Sequence, residues 1–180
     1  MKYVFKYLFG KYFWINYSAD LQYKGTWKKG LFNGKGRLKY KNGNTFIGFF
    51  KDGAKHGYGS LVSLNGYEYH GNWVNGKQTG EGQVHYKNGD IYTGSFLEGL
   101  RNGFGELFIA KNNRNYKGYW ENNNLTGEVK VISDTWVFRG KIDQSNLNAT
   151  GKIIYNDQSS YEGSLFDFNR QGYGVYKNFI

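Results

Sequence analysis

Apolar and polar side chains alternate with a period of two along most of this chain, and the alternation restarts at a near-constant interval. The stretch Tyr69 to Gly89, YHGNWVNGKQTGEGQVHYKNG, shows the unit in full. Tyr69, Gly71 and Trp73 share one face of a first strand. A turn follows at Gly76, and Gly80, Gly82, Val84 and Tyr86 share a face of a second strand. Period-two alternation predicts strands with one face toward a core. The closing Asn88-Gly89 is a strong two-residue hairpin signal.

The unit recurs. The first aromatic falls at Tyr23, Phe46, Tyr69, Tyr92, Tyr116, Phe138 and Tyr161, with spacings of 23, 23, 23, 24, 22 and 23. Glycine follows two residues later in every copy, from Gly25 to Gly163. A large apolar side chain follows at four residues: Trp27, Phe50, Trp73, Phe96, Trp120, Ile142 and Leu165. The turn glycine is kept as Gly30, Gly53, Gly76 and Gly99 and lapses to Asn123, Ser145 and Phe168. Paired glycines mark the second strand at Gly34/Gly36, Gly57/Gly59, Gly80/Gly82, Gly103/Gly105 and Gly172/Gly174. The later hairpin turns, Asn112-Asn113, Ser133-Asp134 and Asn156-Asp157, use residues that tolerate positive φ. A fixed period of this length is the signature of a repeat architecture.

Both paired glycines are expected on the aromatic face, where the missing side chains let neighbouring rings lie against the backbone. Glycine weakens an isolated strand, so each hairpin needs its neighbours. The expected fold is all-β: an elongated, open antiparallel sheet of stacked β-hairpins, about seven units of 23 residues over residues 23–180, with a divergent cap over 1–22. Copies five and six depart furthest from the pattern. The C-terminal third is therefore expected to be looser, or held by a partner.

The pattern Y-x-G-x-W-x-x-G-x-x-x-G-x-G resembles the MORN (membrane occupation and recognition nexus) repeat. The resemblance spans residues 23 to 180. It implies a sheet of hairpins with roles in scaffolding, cytoskeletal or ciliary assembly, dimerisation and, in some members, acidic phospholipid binding. The motif is structural and brings no catalytic residue onto this chain.

Composition changes the picture in two places. First, 27 glycines with no proline, in a chain that is 20% aromatic, fit tight turns joining strands that need every backbone donor. Second, the net charge of +10 lies in the first third: residues 1–60 hold 12 Lys/Arg against 2 Asp/Glu, and the other two thirds are close to balance. Such asymmetry points to an anionic partner at one end. Residues 1–15, MKYVFKYLFGKYFWI, are aromatic and basic. Lys2, Lys6 and Lys11 break the run too often for a membrane span, and it lacks the apolar core and cleavage site of a secretory signal. Three readings stand: a capping hairpin or short helix, an interfacial membrane anchor, and an uncleaved organelle-targeting segment. Ile15, Asn16 and Tyr17 match the second strand of a degenerate repeat and favour the cap.

The face opposite the rings carries the candidate sites. In the first copy it presents Lys24, Lys28, Lys35, Arg37, Lys39 and Lys41, candidates for binding anionic lipid, an acidic protein tail or RNA. A solvated edge that resists aggregation explains the same charges. In the second copy the outward positions are apolar: Ile47, Phe49, Tyr58, Val62 and Leu64. A sheet apolar on both faces is normally covered on both, here by the N-terminal segment or by a partner. Leu97, Phe104 and Phe108 repeat the theme weakly in the fourth copy. These eight are the candidate partner contacts.

Other chemistry has no foundation in the chain. With no cysteine, disulfides, thiolate zinc sites and a cysteine nucleophile are excluded. His56, His70 and His85 lack metal-ligand spacing, and no phosphate-binding glycine loop is present. Rings and cations on opposite faces argue against a stacking groove for nucleic acid. The expectation is a non-enzymatic scaffold without cofactors, a subunit of a cytoskeletal, ciliary or organellar assembly with protein partners or a second copy of itself. The alternative is a peripheral module that binds anionic phospholipid through its basic first third. The expected compartment is cytoplasmic, at the cytoskeleton or a membrane, with a mitochondrion or other organelle as the alternative.

Overall fold

The structure, a computed structural model, describes residues 14–144 and 147–179. Residues 1–13 of the N-terminal segment and the turn position Ser145 lie outside the described residues. The strands are β1 (Ile15–Ser18), β2 (Leu21–Lys28), β3 (Leu31–Tyr40), β4 (Thr45–Lys51) and β5 (Ala54–Val62). They continue as β6 (Glu68–Val74), β7 (Lys77–His85), β8 (Ile91–Leu97), β9 (Leu100–Ile109) and β10 (Arg114–Glu121). The last five are β11 (Asn124–Ile132), β12 (Trp136–Asp143), β13 (Asn148–Tyr155), β14 (Ser160–Phe166) and β15 (Asn169–Lys177). One short 3-10 turn, Ala110–Asn112, interrupts the described strands. The strands follow one another in chain order through one open antiparallel sheet. Ile15 pairs with Tyr23 and Asn16 with Gln22, so β1 lies beside the first repeat as its residue types predict.

The chain divides into two compact units. The first holds the strands up to residue 87 together with 96–100; the second holds 88–95 and everything from Arg101 onward. In five copies the first aromatic of the repeat is fully buried: Tyr23, Phe46, Tyr69, Tyr92 and Phe138. In the fifth copy Tyr116 is half-buried and Val131 is fully buried instead. The buried ring lies over a glycine pair joined across the hairpin, such as Gly71 and Gly82. A Cβ on Gly82 would stand 2.6 Å from the Tyr69 hydroxyl and 2.7 Å from its ring. The hydroxyl of Tyr69 donates to the carbonyl of Asn72 at 3.0 Å, and Tyr23, Tyr92 and Tyr161 make the equivalent bond to Thr26, Ser95 and Ser164. Adjacent rings meet edge to face, as Tyr23 with Phe50 at 5.2 Å and Phe46 with Trp73 at 5.3 Å. Such contacts add about 0.5–1.5 kcal/mol each beyond area burial.

Three expectations need correcting. The first of each glycine pair does not lie under the ring. Gly34 has φ +74° and stands beside Thr26 of the outer face, where a bulge shifts the register between Gly25 and Trp27. It is there for its backbone conformation and its partner Gly36 for space. The Asn-Gly turns are not two-residue hairpins either. At Asn42-Gly43 the glycine alone has positive φ, Gly43 N–H donates to Tyr40 O, and Tyr40 N–H donates to Asn44 O. That is a three-residue loop ending in a glycine bulge. The two-residue turns are at the other end of the hairpin, where Asn75 and Gly76 have φ of +49° and +85°. In the later copies, positive φ falls on Asn113 and Gln158 and not on Ser133, Asp134 or Asp157.

The eroded copies of the second unit are packed. Where a ring-facing glycine is lost, Val129 is buried against Gly118 beside Leu125. Phe168, which replaces a turn glycine, keeps that glycine's conformation at φ +62°. Its ring stacks on Trp136 at 4.8 Å and meets Phe138 at 5.3 Å. The neighbouring Asp167 receives a hydrogen bond from Arg114 of β10 at 2.5 Å, and the guanidinium stands 4.9 Å from the Phe168 ring. The Asp167-Phe168 turn is thereby tied across the inner face of its unit to β10 and β12.

Candidate docking groove

The outer face of the first unit collects residues that the sequence shows as two separate groups. Register places Lys24 beside Arg37 and Arg37 beside Ile47. Lys35 stands beside Phe49. Together with Trp14, Tyr58 and Ser60 they line a groove of about 710 Å³ across β2 to β5. One end is cationic (Lys24, Lys35 and Arg37) and the other apolar. Ile47 is 52% exposed, Phe49 42% and Tyr58 58%. The ends are joined by contacts of cation on ring: the Lys35 ammonium is 5.5 Å from the Phe49 ring and the Arg37 guanidinium 5.7 Å from Trp14. Contacts of this kind hold long cationic side chains over the groove at a gain of about 0.5–1 kcal/mol where exposed.

The local sequence builds this face. Strand alternation turns Tyr23, Leu38, Phe46 and Phe50 inward, where they are buried, so their neighbours must point outward. The floor is backbone, because Gly25, Gly36, Gly48 and Gly59 line the groove without side chains. Thr26 Oγ1 donates to the carbonyl of Asn33 and fixes the bulged end of the groove. Trp14, Thr26 and Ser60 also line the groove and were not among the candidates, and Trp14 is the large one. Its signal was a large aromatic at the end of the basic N-terminal run.

The other candidates fall elsewhere. Lys28 faces Leu31 at the hairpin end. Lys39 lies beyond the groove, beside Gln22 and Thr45. Lys41 is in the loop and pairs with Asp20 at 3.2 Å. Val62 stands between Thr45 and Glu68, and Leu64 lies exposed in the loop after β5, its side chain beside Gly43. Leu97 is exposed in the first unit. Phe104 is in the second, where it meets the Tyr119 ring at 5.4 Å, and Phe108 is half-buried opposite Asn115.

The inner face carries a different set of charges. Lys55 holds its ammonium 4.3 Å from the Trp73 ring, and burial lowers its pKa from the ordinary lysine value. Arg101 stands 4.2 Å from Trp120 in the same manner. These cations close the edges of the ring ladder. Among the described residues no group of three or more His, Cys, Asp or Glu is placed to hold a metal ion. No described helix is long and apolar enough to cross a membrane. Ser60 Oγ and His70 Nδ1 are 2.8 Å apart on the outer face, and the other imidazole nitrogen stands 3.7 Å from a Glu68 carboxylate oxygen, longer than the hydrogen bond that would orient a catalytic base.

A comparison with curated protein sequences finds no match. Among solved structures, the TCP domain of Drosophila melanogaster SAS-4 (dCPAP), in complex with a proline-rich motif of Ana2 (dSTIL), is similar with a TM-score of 0.47 at 14% identity. The match covers 81% of this chain and 84% of that one. A mutant of the TCP10 domain of Danio rerio CPAP is similar with a TM-score of 0.47 at 12% identity, over 81% of this chain and 72% of that one. The MORN repeat pattern matches residues 23–45, 46–66, 69–91 and 92–114. Three further hairpins, β10–β11, β12–β13 and β14–β15, follow the matched copies. With half of its length matched repeat by repeat and the hairpins in the expected order, the chain belongs to the MORN repeat family.

Proposed function

We propose that this chain is a non-enzymatic scaffold, a structural subunit of a cytoskeletal, ciliary or organellar assembly, that docks a partner protein in its outer-face groove. The carrying observation is that Ile47 and Phe49 stand exposed in register beside Arg37 and Lys35, with Tyr58 exposed in the same groove. Burying a side chain of this size is worth about 1.5–3 kcal/mol when complete. Aromatic residues and arginine are enriched where binding energy concentrates at interfaces. The cationic end would steer an acidic partner and set its orientation. Family membership supports an interaction role over catalysis. The test is native purification of the tagged protein beside the variant Phe49→Asp/Tyr58→Asp. A partner that co-purifies with the parent and is lost from the folded variant supports the reading. A parent that purifies as a monodisperse monomer without partners undoes it.

A second reading, attachment to an anionic membrane, is favoured by one observation. Lys28, Lys35, Arg37 and Lys39 are exposed and have no ion pair among the described residues. Each such cation near an anionic surface contributes about 1 kcal/mol. Flotation with phosphatidylserine vesicles decides it. Binding that disappears on charge reversal of Lys35, Arg37 and Lys39 supports this reading, and absence of flotation at moderate salt removes it.

A further inference from the structure

The second unit holds ten Lys/Arg against nine Asp/Glu, a near balance, but the charges are sorted in space. Register places Lys117 opposite Lys130, Lys130 opposite Arg139, and Arg139 opposite Lys152. Four cations therefore stand in one cross-strand row on the outer face. Glu106 faces Lys117 at one end, with an ion pair of 3.6 Å, and Glu162 faces Lys152 at the other. Lys130, Arg139 and Lys152 have no carboxylate within 4 Å among the described residues. Like charges directly opposite one another destabilise a strand pair. A row that works against the fold is accounted for by a ligand that neutralises it.

A parallel row lies two residues along the same three strands. Ile132 is opposite Val137, and Val137 is opposite Ile154. Ile132 and Val137 are half-buried and Ile154 is exposed. The face of β11, β12 and β13 thus presents three cations beside three β-branched aliphatics, each set in line across the strands.

We propose that this face docks an acidic amphipathic helix of a partner protein, lying across β11 to β13. The spacings agree. Two strand intervals measure about 9.6 Å, and acidic residues at i, i+3 and i+7 of a helix span about 10.5 Å. Apolar residues one position later, at i+1, i+4 and i+8, form the adjacent stripe that meets Ile132, Val137 and Ile154. A bilayer fits less well, because Glu106, Glu128 and Glu162 share this face and would repel anionic headgroups. Single-stranded nucleic acid fits less well too: the exposed rings Phe104 and Tyr119 lie beside Lys117 at one end of the row, and the aliphatics along β11 to β13 offer no ring for base stacking. The proposal does not depend on the groove of the first unit, which is built from other residues.

The test uses the full chain and a fluorescein-labelled peptide of about 18 residues, long enough to be helical, with Glu at i, i+3 and i+7 and Leu at i+1, i+4 and i+8. Saturable binding by fluorescence anisotropy is expected, weakened about tenfold by added salt. Lys130→Glu/Arg139→Glu should weaken it about tenfold or more through loss of the paired charges. Arg139→Gln serves as a milder variant whose retained fold is read by near-ultraviolet circular dichroism, and it should weaken binding to a smaller extent. Three results would overturn the proposal: no saturable binding to the parent chain, equal binding of a scrambled peptide of the same composition, or parent-like affinity in Lys130→Glu/Arg139→Glu. Flotation on anionic vesicles that these same substitutions abolish, with the peptide unbound, would assign the row to lipid instead.

Discussion

The smallest repeated device in this protein is a ring laid on two glycines and tied by its hydroxyl. Gly82→Ala places a methyl group within 2.8 Å of the Tyr69 ring, and the ring has no room to retreat because it is fully buried. Overpacking of this kind costs about 1–3 kcal/mol, which urea unfolding should show as a lowered midpoint at unchanged slope. Burial also holds the Tyr23 and Tyr69 phenols well above their ordinary pKa. The sign follows: with the folded pKa raised, the folded chain retains protons that the unfolded chain loses above about pH 10. The stabilisation is complete below that pH and falls as pH rises further. Tyr69→Phe should cost about 1 kcal/mol at neutral pH for the lost hydrogen bond and should flatten the alkaline loss of stability. An unchanged alkaline midpoint would show that this phenol is not the responsible group. Phe46 and Phe138, at the same repeat position, show that the ring alone suffices for packing. The sequence made the ring and the space-making glycine legible, through period two and the fixed interval. It did not reveal that Gly34 and Gly36 serve different ends, because a bulge shifts the alternation between them and composition carries no trace of a bulge.

Among the elements, the turns carry the lesson. Asn-Gly reads as a two-residue hairpin, yet the chain uses it as the end of a three-residue loop, with the asparagine side chain bracing the loop: Asn42 Oδ1 accepts from Asn44 N–H at 3.1 Å. The two-residue turns go to pairs such as Asp52-Gly53 and Glu98-Gly99, both with positive φ throughout. Dipeptide preference could not distinguish the two ends of the hairpin, since both contain a left-handed glycine. The lapse to Phe168 reads in sequence as decay and proves to be a tie, visible only once β12 and the β14–β15 turn are brought together. Restoring the repeat consensus with Phe168→Gly relieves about 1–3 kcal/mol of backbone strain but forfeits a stacked ring worth more, about 3–5 kcal/mol in full. The expected net effect is a loss of about 1–2 kcal/mol, with faster hydrogen exchange in β10 and β12. A gain in stability would show that the ring is a passenger.

For the whole molecule, the distribution of charge and exposed apolar surface decides what the protein can do. Counting charges by thirds located the basic first repeat and overlooked the cation row of β10 to β13, because acids elsewhere in the last two thirds cancel the sums. Aligning the repeats would have shown it: Lys117, Arg139 and Lys130, Lys152 occupy two repeat positions that face each other across every strand pair. Arg139→Glu places an acid between two lysines. It should raise stability by about 0.5–1 kcal/mol in dilute buffer, with less gain at high salt. No gain at low salt would mean that the row is already neutralised. The outer groove was half legible. Its cations and its apolar residues could be read separately, but their union depends on Arg37 pairing with Ile47 and Lys35 with Phe49, a register that only the folded hairpins provide.

Photocrosslinking from inside the outer groove decides whether a partner protein docks there. A benzophenone amino acid at position 58, on the groove's apolar end, should capture one discrete partner in the native source. Phe49→Asp should abolish that adduct, and the same probe at the remote outer position 97 should not yield it. No adduct from position 58, or the same adduct from both positions regardless of Phe49→Asp, would show that no partner docks in the groove.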